Sequence, residues 1–403
     1  MSAPAGTAGP ASARVVGVDV ARAVALLGMM SVHVLPELDA DGSITPAYLV
    51  FAGRASALFA LLAGTGLALM TGGARPRLRP ARAVAASVLA RAAVVALVGL
   101  LLGQLSPPVA VILTNYGLFF ALALPALWLP PRALAALAAL WVVGAPLLSH
   151  LARSGLPPGP GDQPSLSLLA HPVELARALT VTGYYPALQW VAYLLAGVAV
   201  GRLALGRRRT AAWLVAGGVL LAVLARVASD VLLRTGLSTL RAAGPADLVP
   251  GGPTGEAVAR LQLQGRFGVP PTTTWWWQAV ASPHTATPFD LAHTIGCALA
   301  VLGLALLLTR AAATGPRPAR GLVAVLAATG SMTLSIYAVH VLTLAAGVGP
   351  ADRDLLLLLN VLLAVVLATA WRRAHRRGPL EHLVARAAAA ARTRATPTPH
   401  LRH

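Results

Sequence analysis

The chain has 403 residues, of which 57% are hydrophobic and 11% are charged, and its mean hydropathy is +0.72. A soluble globule of this composition would expose a coat of alanine, leucine and valine, so the composition predicts a polytopic membrane protein. The net charge of +19 comes from arginines grouped mainly in short clusters between apolar segments, which is typical of topology signals and not of a nucleic-acid-binding domain. The single cysteine, Cys297, excludes an intramolecular disulfide and a cysteine-based zinc or iron–sulfur site.

Ten apolar stretches of about 20 residues predict an all-α fold with ten membrane-spanning helices. These stretches are 16–36, 48–71, 83–104, 108–128, 132–151, 184–204, 211–233, 288–309, 321–346 and 354–371. Arginine clusters fall on every second connection, as at 75–82, 206–209 and 371–377, and acidic residues fall on alternate ones. By the positive-inside rule, both termini then lie in the cytoplasm.

The predicted organisation has three parts. Residues 1–14 form a disordered N-terminus, residues 15–378 form the helical bundle, and residues 379–403 form a cytoplasmic tail. Long extracytoplasmic loops are predicted at 152–183 and 234–287. The first apolar run carries polar groups and passes into an acidic loop instead of a cleavage site, so we interpret it as a retained span and not as a signal peptide.

An aromatic triplet, Trp275 to Trp277, lies in the second of these loops. Tryptophan is enriched where a membrane protein crosses the membrane–water interface. We therefore favour an interfacial belt at this triplet over a platform on which sugars or lipids stack.

The first apolar segment carries Asp19, Arg22 and His33. At 100° per residue, Arg22 and His33 differ by about 20° and Asp19 lies roughly 40° from His33, so all three lie near one helix face. A rise of ~1.5 Å per residue separates Asp19 from His33 by ~21 Å, which is most of the thickness of a bilayer core. The helix therefore carries polar groups at both membrane surfaces.

Polar side chains inside the predicted spans are the place to look for function, because a charged residue at the bilayer centre costs about 2.5–3.5 kcal/mol on insertion scales. The topology places one group in the outer half of the membrane: His33, Arg54, Asn115, Asp290, His293 and His340. A second group belongs to the cytoplasmic half: Asp19, Arg22, Arg79 and Arg82. Because the outer group comes from five separate helices, we predict that it forms one site in the bundle.

Some polar residues in the spans also admit purely structural roles. Arg226 and Asp230 are spaced i, i+4 and can pair with each other on one helix. Tyr337 and His340 can form an interhelical hydrogen-bonded contact. His33, taken alone, can be a satisfied core histidine, but its position on the polar face of the first helix favours a functional role.

The segment RVVGVDVARAVALLGMMSVH, residues 14–33, resembles the opening of the transmembrane acyltransferase superfamily. That superfamily includes the heparan-α-glucosaminide N-acetyltransferases, their bacterial relatives and the integral-membrane O-acyltransferases, and the shared pattern is an Asp-x-x-Arg at the cytoplasmic end of the first span. The other resembling segments are FALLAGTGLALM (59–70), ILTNYGLFF (112–120), SPHTATPFDLAHTIGCALAVLGLALLL (282–308) and GSMTLSIYAVHVL (330–342). The resemblance covers roughly residues 14 to 372.

The resemblance implies a multi-pass protein of a bacterial plasma membrane. It implies that an acyl group, with acetyl-coenzyme A as the expected donor, moves from the cytoplasm to an extracytoplasmic glycan or other cell-envelope acceptor. His33 matches the first-span histidine of the O-acyltransferase branch, where many closer bacterial relatives have Asn. Arg79 and Arg82 fit the Arg-x-x-Arg element of that branch. The loop after the first span, which carries the catalytic histidine of the heparan branch, has no histidine here.

The residue types suit acyl transfer. A neutral imidazole at His33 can take the proton of an attacking hydroxyl or amine or accept the acyl group itself, and His284 and His340 are the next candidates. Arg54 or Asn115 can stabilise the oxyanion. The predicted coenzyme A-binding residues are Asp19, Arg22, Arg79 and Arg82, arginine being the bidentate phosphate reader. The ~21 Å between Asp19 and His33 requires either a pantetheine arm that extends through the bundle or an acyl-enzyme that carries the group.

Two other classes of protein would use the same polar residues. A transporter or flippase for a glycolipid or small anion would have them along its path, although no symmetric repeat pairs the two halves. A non-catalytic scaffold of a cell-envelope complex would need no chemistry. His284, Asp290 and His293 have weak metal-ligand spacing, and we expect no metal. The expected partners are the lipid bilayer and the acceptor, not nucleic acid, and homo-oligomerisation is left open.

Overall fold

The computed structural model describes residues 14–78, 80–156, 163–244 and 248–396. Of these residues, 74% are helical, and none of them forms a strand. The extended backbone there pairs only in an isolated bridge between Leu38 and Ile44. The predicted all-α fold is therefore confirmed, whereas the predicted disorder of 1–13 concerns residues outside the described part.

Fifteen α-helices follow one another in the described part of the chain. They are α1 (Val16–Val34), α2 (Pro46–Phe51), α3 (Arg54–Met70), α4 (Ala81–Gly103), α5 (Leu113–Ala123), α6 (Pro131–Arg153), α7 (Pro172–Arg177), α8 (Ala187–Gly201), α9 (Arg208–Ala243), α10 (Thr254–Leu263), α11 (Pro288–Thr314), α12 (Arg317–Gly330), α13 (Thr333–Ala345), α14 (Arg353–Ala374) and α15 (Pro379–Arg394). Short 3₁₀ turns follow α5, precede α7 and α11, and a π turn, Ala178–Thr182, follows α7.

Several of these helices are long and apolar enough to cross a membrane. Seven such stretches occur in the described residues: α1, α2 with α3, α4, α6, α9, α11 and α14. The pair α12 and α13 is an eighth candidate, bent by 72° at its break. The shorter apolar helices α5 and α8 lie within the two remaining predicted stretches. The chain is thus a multi-pass membrane protein.

Small residues let neighbouring helices approach closely. A Cβ atom added at Gly64 of α3 would overlap the carbonyl oxygen of Leu194 in α8, and one added at Gly197 of α8 would overlap that of Leu61 in α3. Thr65 Oγ1 lies 3.1 Å from the Gly197 carbonyl oxygen, across the same crossing. Because lipid tails are as apolar as the side chains, such backbone contact and interhelical hydrogen bonding hold membrane helices together.

Helix α1 lies in the interior of the bundle, packed against α3, α11 and α12. A Cβ atom at Gly330, the last residue of α12, would overlap the carbonyl oxygen of Asp19. At the start of α1, a Cβ atom at Gly17 would lie 2.9 Å from the backbone of Leu306 in α11. The polar face of α1 is therefore enclosed by protein and not by lipid.

The segment 234–287 is folded. Helix α9 has 36 residues, about 54 Å, and so outruns a ~30 Å bilayer core. Its final turns form a second, small hydrophobic core with α10 and Trp277, which is only 1% exposed. Trp275 is 50% exposed and stacks on His150, with ring centroids 4.0 Å apart. Of the triplet predicted to form an interfacial belt, Trp277 therefore fills this core, whereas Trp275 stays exposed.

A buried arginine joins the ends of three elements. Arg202, at the C-terminal end of α8, is 5% exposed and donates from Nη1 to the carbonyl oxygens of Ala68 and Gly73, both at 3.2 Å. Its Nη2 donates to the carbonyl oxygen of Leu127 at 3.1 Å. One guanidinium therefore binds carbonyl oxygens of α3, of the turn that follows α3 and of the 3₁₀ turn after α5.

Replacing this arginine should destabilise the bundle. We expect Arg202→Ala to lower the free energy of unfolding by roughly 2–4 kcal/mol, because its charge-assisted hydrogen bonds to three backbone carbonyl oxygens are lost. The measurement is thermal or denaturant unfolding of purified protein in detergent. The matched control is Arg207→Ala, since Arg207 is exposed at the next connection and should change stability by less than about 0.5 kcal/mol. Equal effects of both variants would contradict the role given to Arg202.

Candidate functional site

Two cavities lie along α1, one towards each end of the helix. The arginine cavity, about 710 Å³, lies along the N-terminal part of α1. Its charged lining residues are Arg14, Asp19, Arg22, Arg91, Arg376, Arg377 and Glu381. The histidine cavity, about 620 Å³, lies along the C-terminal part of α1 and is lined by His33, Tyr48, Asn115, Tyr184, Tyr185 and His284, among others. Both volumes suit the binding of a small molecule.

The two cavities come together at Met29, which lines both. Tyr337 lines the arginine cavity, and its ring centroid lies 6.4 Å from that of His33, which lines the histidine cavity. Along α1 the lining residues Val18, Arg22, Met29 and His33 recur at helical spacing, so one face of one helix follows both cavities. The two cavities therefore adjoin at Met29.

In the arginine cavity, Asp19 holds arginines in place. Its carboxylate is 4% exposed and forms salt bridges with Arg14 Nε and with Arg22 Nη1, the latter at 3.3 Å. Gly66 of α3 leaves the necessary space, because a Cβ atom there would lie 2.8 Å from Arg22 Nη2. The Asp-x-x-Arg pattern thus forms an ion pair on α1, and Asp19 orients cations without itself attracting an anion.

The other predicted coenzyme A-binding residues are placed differently. Arg82 is exposed on the first turn of α4 and is not among the residues that line the arginine cavity. Arg79 lies outside the described residues. Sequence reasoning missed four arginines that do line the cavity, Arg14, Arg91, Arg376 and Arg377. A lone arginine in an apolar span was the available signal for Arg91, whereas the 371–377 cluster had been explained by topology alone.

Helix α15 closes one side of the arginine cavity. It packs against α4 and α13, and Val384 and Ala385 line the cavity. Glu381 accepts hydrogen bonds from the backbone N–H groups of Leu334 and Ser335, at 2.8 and 3.1 Å, and so caps α13. The segment predicted as a tail is therefore, in its described part, an integral piece of the cavity wall.

Beside the histidine cavity, three side chains from three helices form a hydrogen-bonded series. His33 Nδ1 of α1 lies 3.2 Å from His340 Nε2 of α13. His340 Nδ1 lies 2.9 Å from Asn360 Oδ1 of α14. His340 and Asn360 are buried, and His33 is partly buried. Sequence reasoning named both histidines but missed Asn360, because nothing in α14 marks which side chain faces α13.

His284 reaches the same cavity from a strained loop. Its backbone has φ 61°, a left-handed conformation that non-glycine residues seldom adopt. The ring lies among those of Tyr184 and Trp190, with centroids 4.8 and 6.3 Å away, and its Nδ1 is buried without a partner in the described residues. Exclusion of water lowers the pKa of His284 to about 4, so its ring is neutral at pH 7.

The two candidates for oxyanion stabilisation have different surroundings. Asn115 lines the histidine cavity and donates one amide hydrogen to the carbonyl oxygen of Tyr185 at 2.9 Å. Arg54 does not line either cavity and donates to the carbonyl oxygens of Leu49 and Ala52, at 3.0 and 3.3 Å. The structure thus brings Asn115 to His33 and His284 but leaves Arg54 outside the cavity.

The other polar residues considered from the sequence have their own contacts in the structure. Asp290 accepts a hydrogen bond from the backbone N–H of Ala286 at 2.8 Å and so anchors the loop of His284, while His293 Nδ1 contacts the carbonyl oxygen of Ala222 at 3.0 Å. Across the described ranges, no three His, Cys, Asp or Glu side chains are grouped for a metal ion. The predicted i, i+4 pair forms, with Arg226 Nε 3.6 Å from Asp230 Oδ1.

Comparison with known families identifies the chain. The family model described as heparan-alpha-glucosaminide N-acetyltransferase, catalytic, matches residues 14–233, which is more than half of the chain. A family described as a protein of unknown function (DUF418) matches residues 258–391, which include His284, His340 and Asn360. A comparison with curated proteins finds no match. The first match contains α1 with Asp19, Arg22 and His33. The chain belongs to the heparan-alpha-glucosaminide N-acetyltransferase catalytic family.

Proposed function

We propose that this membrane protein transfers an acyl group, in particular acetyl, from cytoplasmic acyl-coenzyme A to a glycan or other cell-envelope acceptor outside the cytoplasm. The family is named for a membrane acetyltransferase activity. The observation that carries the proposal is the pair of cavities on α1, one lined by arginines and one by histidines, which share Met29.

The orientation follows from the arginine clusters. The proposal retains ten spans with both termini in the cytoplasm of a bacterial plasma membrane, which puts the 75–82 connection and α15 on the cytoplasmic side. The arginine cavity then opens to the cytoplasm, where acyl-coenzyme A is found. The histidine cavity, at the other end of α1, lies towards the outside, where the acceptor is found.

The arginine cavity has the charge that the donor requires. Five arginines and two carboxylates line it, and the carboxylate of Asp19 is already paired with Arg14 and Arg22. Coenzyme A carries several phosphate charges, and guanidinium groups bind phosphate through short, charge-assisted hydrogen bonds. We assign Arg22, Arg376 and Arg377 to these phosphates.

The shared residue shortens the path of the acyl group. The arginine cavity already reaches Met29, which is four residues, or about 6 Å along the helix axis, from His33. A pantetheine arm in that cavity has only the region of Met29 to pass before its thioester reaches His33. The ~21 Å between Asp19 and His33 is thus spanned by the arm itself.

The chemistry is transfer of the acyl group from the thioester sulfur to the acceptor, with His33 first accepting and then donating a proton. The hydroxyl or amine of the acceptor gives its proton to His33 Nε2 as its oxygen or nitrogen forms a bond to the thioester carbonyl carbon. The carbon–sulfur bond then breaks. Coenzyme A leaves as a thiol, because its sulfur takes the proton from His33 Nε2. The oxyanion that forms between these steps is stabilised by Asn115, whose side chain faces the same cavity. His284 offers a second neutral imidazole at the acceptor end.

The first prediction concerns orientation. Single cysteines at Ala74 and at Gly255, both exposed, should react with an impermeant maleimide from opposite sides of the membrane, because the topology places the first in the cytoplasm and the second outside. The variants are made in a Cys297→Ala background, which removes the native cysteine. Labelling of intact cells and of inverted vesicles gives the measurement. Labelling of both positions from the same side would contradict the proposed orientation.

The second prediction concerns the donor. Arg376→Ala and Arg377→Ala should each weaken the binding of coenzyme A by roughly 10–100-fold, since each removes about 1.5–3 kcal/mol of charge-assisted hydrogen bonding. Binding is measured by titration calorimetry in detergent. The control is Arg132→Ala, because Arg132 is exposed on the first turn of α6 and does not line the cavity. Arg82→Ala tests the residue that the sequence predicted but that does not line the cavity. A loss of coenzyme A binding seen only in Arg82→Ala would contradict the proposed donor site.

The third prediction concerns the base. His33→Ala should reduce the release of coenzyme A from labelled acetyl-coenzyme A by about 10²–10⁴-fold without changing unfolding, because the proton acceptor is removed. His33→Asn is the sharper variant, since many relatives are expected to carry Asn there, and full activity would make His33 a packing residue. If the alanine variants of His33, His284 and His340 all remain active, histidine-based acyl transfer is wrong. A transporter would release no coenzyme A at all.

A further inference from the structure

The orientation of one amide determines where the protons lie in the series His33, His340 and Asn360. Asn360 Nδ2 donates to the carbonyl oxygen of Leu356, one turn earlier in α14, at 2.9 Å. A carbonyl oxygen accepts only, so the amide nitrogen must be the atom on that side. Asn360 Oδ1 is then the atom that lies 2.9 Å from His340 Nδ1. The opposite amide orientation would bring two oxygen atoms together.

The position of Asn360 Oδ1 determines which ring nitrogen of His340 carries a proton. Because Asn360 Oδ1 accepts only, His340 Nδ1 must carry a hydrogen and donate it. Thr343 Oγ1 lies 3.3 Å from the same oxygen, but it donates to the carbonyl oxygen of His340 at 2.7 Å and leaves Asn360 free to accept. In a neutral imidazole only one nitrogen is protonated, so His340 Nε2 has a free lone pair.

The lone pair on His340 Nε2 determines which ring nitrogen of His33 carries the proton. The two rings are within 6° of parallel with centroids 5.4 Å apart, and their nearest nitrogens are 3.2 Å apart, so the contact joins ring edges in nearly one plane. That is the geometry of a hydrogen bond and not of face-to-face stacking. His33 Nδ1 must donate to His340 Nε2. His33 Nε2 is then unprotonated, and it has no hydrogen-bond partner within the described residues.

The reverse assignment requires a buried charge. If His340 were doubly protonated, its Nε2 would donate to His33 Nδ1, and the remaining proton of His33 would block Nε2. That imidazolium would lie at a buried position whose hydrogen-bond partners, His33 and Asn360, are uncharged. An uncompensated buried cation is costly, so the neutral series is the resting state.

We infer that Asn360, acting through His340, holds His33 in the tautomer that presents an unprotonated Nε2 to the histidine cavity. The inference rests on the proposed function, because it assigns a state to its base. Asn360 and His340 are positioning residues, and of these three side chains only His33 contacts the reacting groups. When Nε2 takes the proton of the acceptor, the resulting imidazolium keeps its Nδ1–H bonded to the lone pair of His340. This orientation of a base by a third group is the logic of catalytic triads.

The tautomers can be measured without any activity. The full chain, labelled with ¹⁵N-histidine and reconstituted in lipid vesicles, is studied by solid-state NMR, in which protonated and unprotonated ring nitrogens have separate shifts. The chain has 10 histidines, so the signals of His33 and His340 are assigned from the spectra of His33→Asn and His340→Asn. We expect both rings to be neutral and protonated on Nδ1. A His33 signal with protonated Nε2, or an imidazolium at either position, would overturn the inference.

The variant Asn360→Leu tests the positioning role, because leucine has a similar size but accepts no hydrogen bond. We expect kcat for coenzyme A release from acetyl-coenzyme A to fall about 10²-fold, as for a misoriented catalytic group, with an unchanged KM for acetyl-coenzyme A. KM should persist because the arginine cavity is untouched. The matched control is Thr343→Val, which removes the neighbouring hydroxyl but keeps the Asn360 oxygen, and its kcat should equal that of the parent.

The two experiments separate the inference from the proposed function. A parent protein that releases no coenzyme A contradicts the proposed function, while its NMR spectrum still decides the tautomers. An active parent whose Asn360→Leu variant keeps the parental kcat overturns the positioning role alone. A kcat that falls together with a rise in KM, or equally in Thr343→Val, would show general disruption and overturns it as well.

Discussion

The contact between α1 and the end of α12 is the constraint on which the rest of the site depends. Gly330 allows the two backbones to touch at Asp19, so the polar face of α1 is enclosed by protein. In a bilayer that face would otherwise expose charged and imidazole groups to hydrocarbon. Enclosure turns it into the common wall of two cavities. The bend between α12 and α13 then brings Tyr337 and His340 to the same wall.

Several polar groups buried in this bundle have specific partners. Arg202 is bonded to three carbonyl oxygens, and Asp290 to the backbone of the loop before it. His33 is different, because one ring nitrogen is bonded and the other has no partner in the described part of the chain. His284 Nδ1 is likewise unpartnered. Burial of the unpaired His284 Nδ1 costs free energy, and both residues line the histidine cavity.

How much of the site could be predicted varies with the separation of its residues in the chain. The face shared by Asp19, Arg22 and His33 follows from helical spacing within one apolar segment, and the structure places it as expected. The pairing of Arg226 with Asp230 is equally local. Arg82 and Arg54 were chosen by depth or motif, and depth says nothing about which side of a helix a residue occupies. Asn360 was missed for the same reason.

The sequence by itself determined the membrane environment, the all-α fold, the apolar segments that contain the long helices and the family, because hydropathy and helical period act over short stretches of chain. Only the tertiary structure decided that α15 closes the arginine cavity, that Met29 is common to both cavities and that Asn360 meets His340. Those contacts join residues far apart in the chain. They depend on how glycine-mediated helix crossings rotate each helix, which no local pattern specifies.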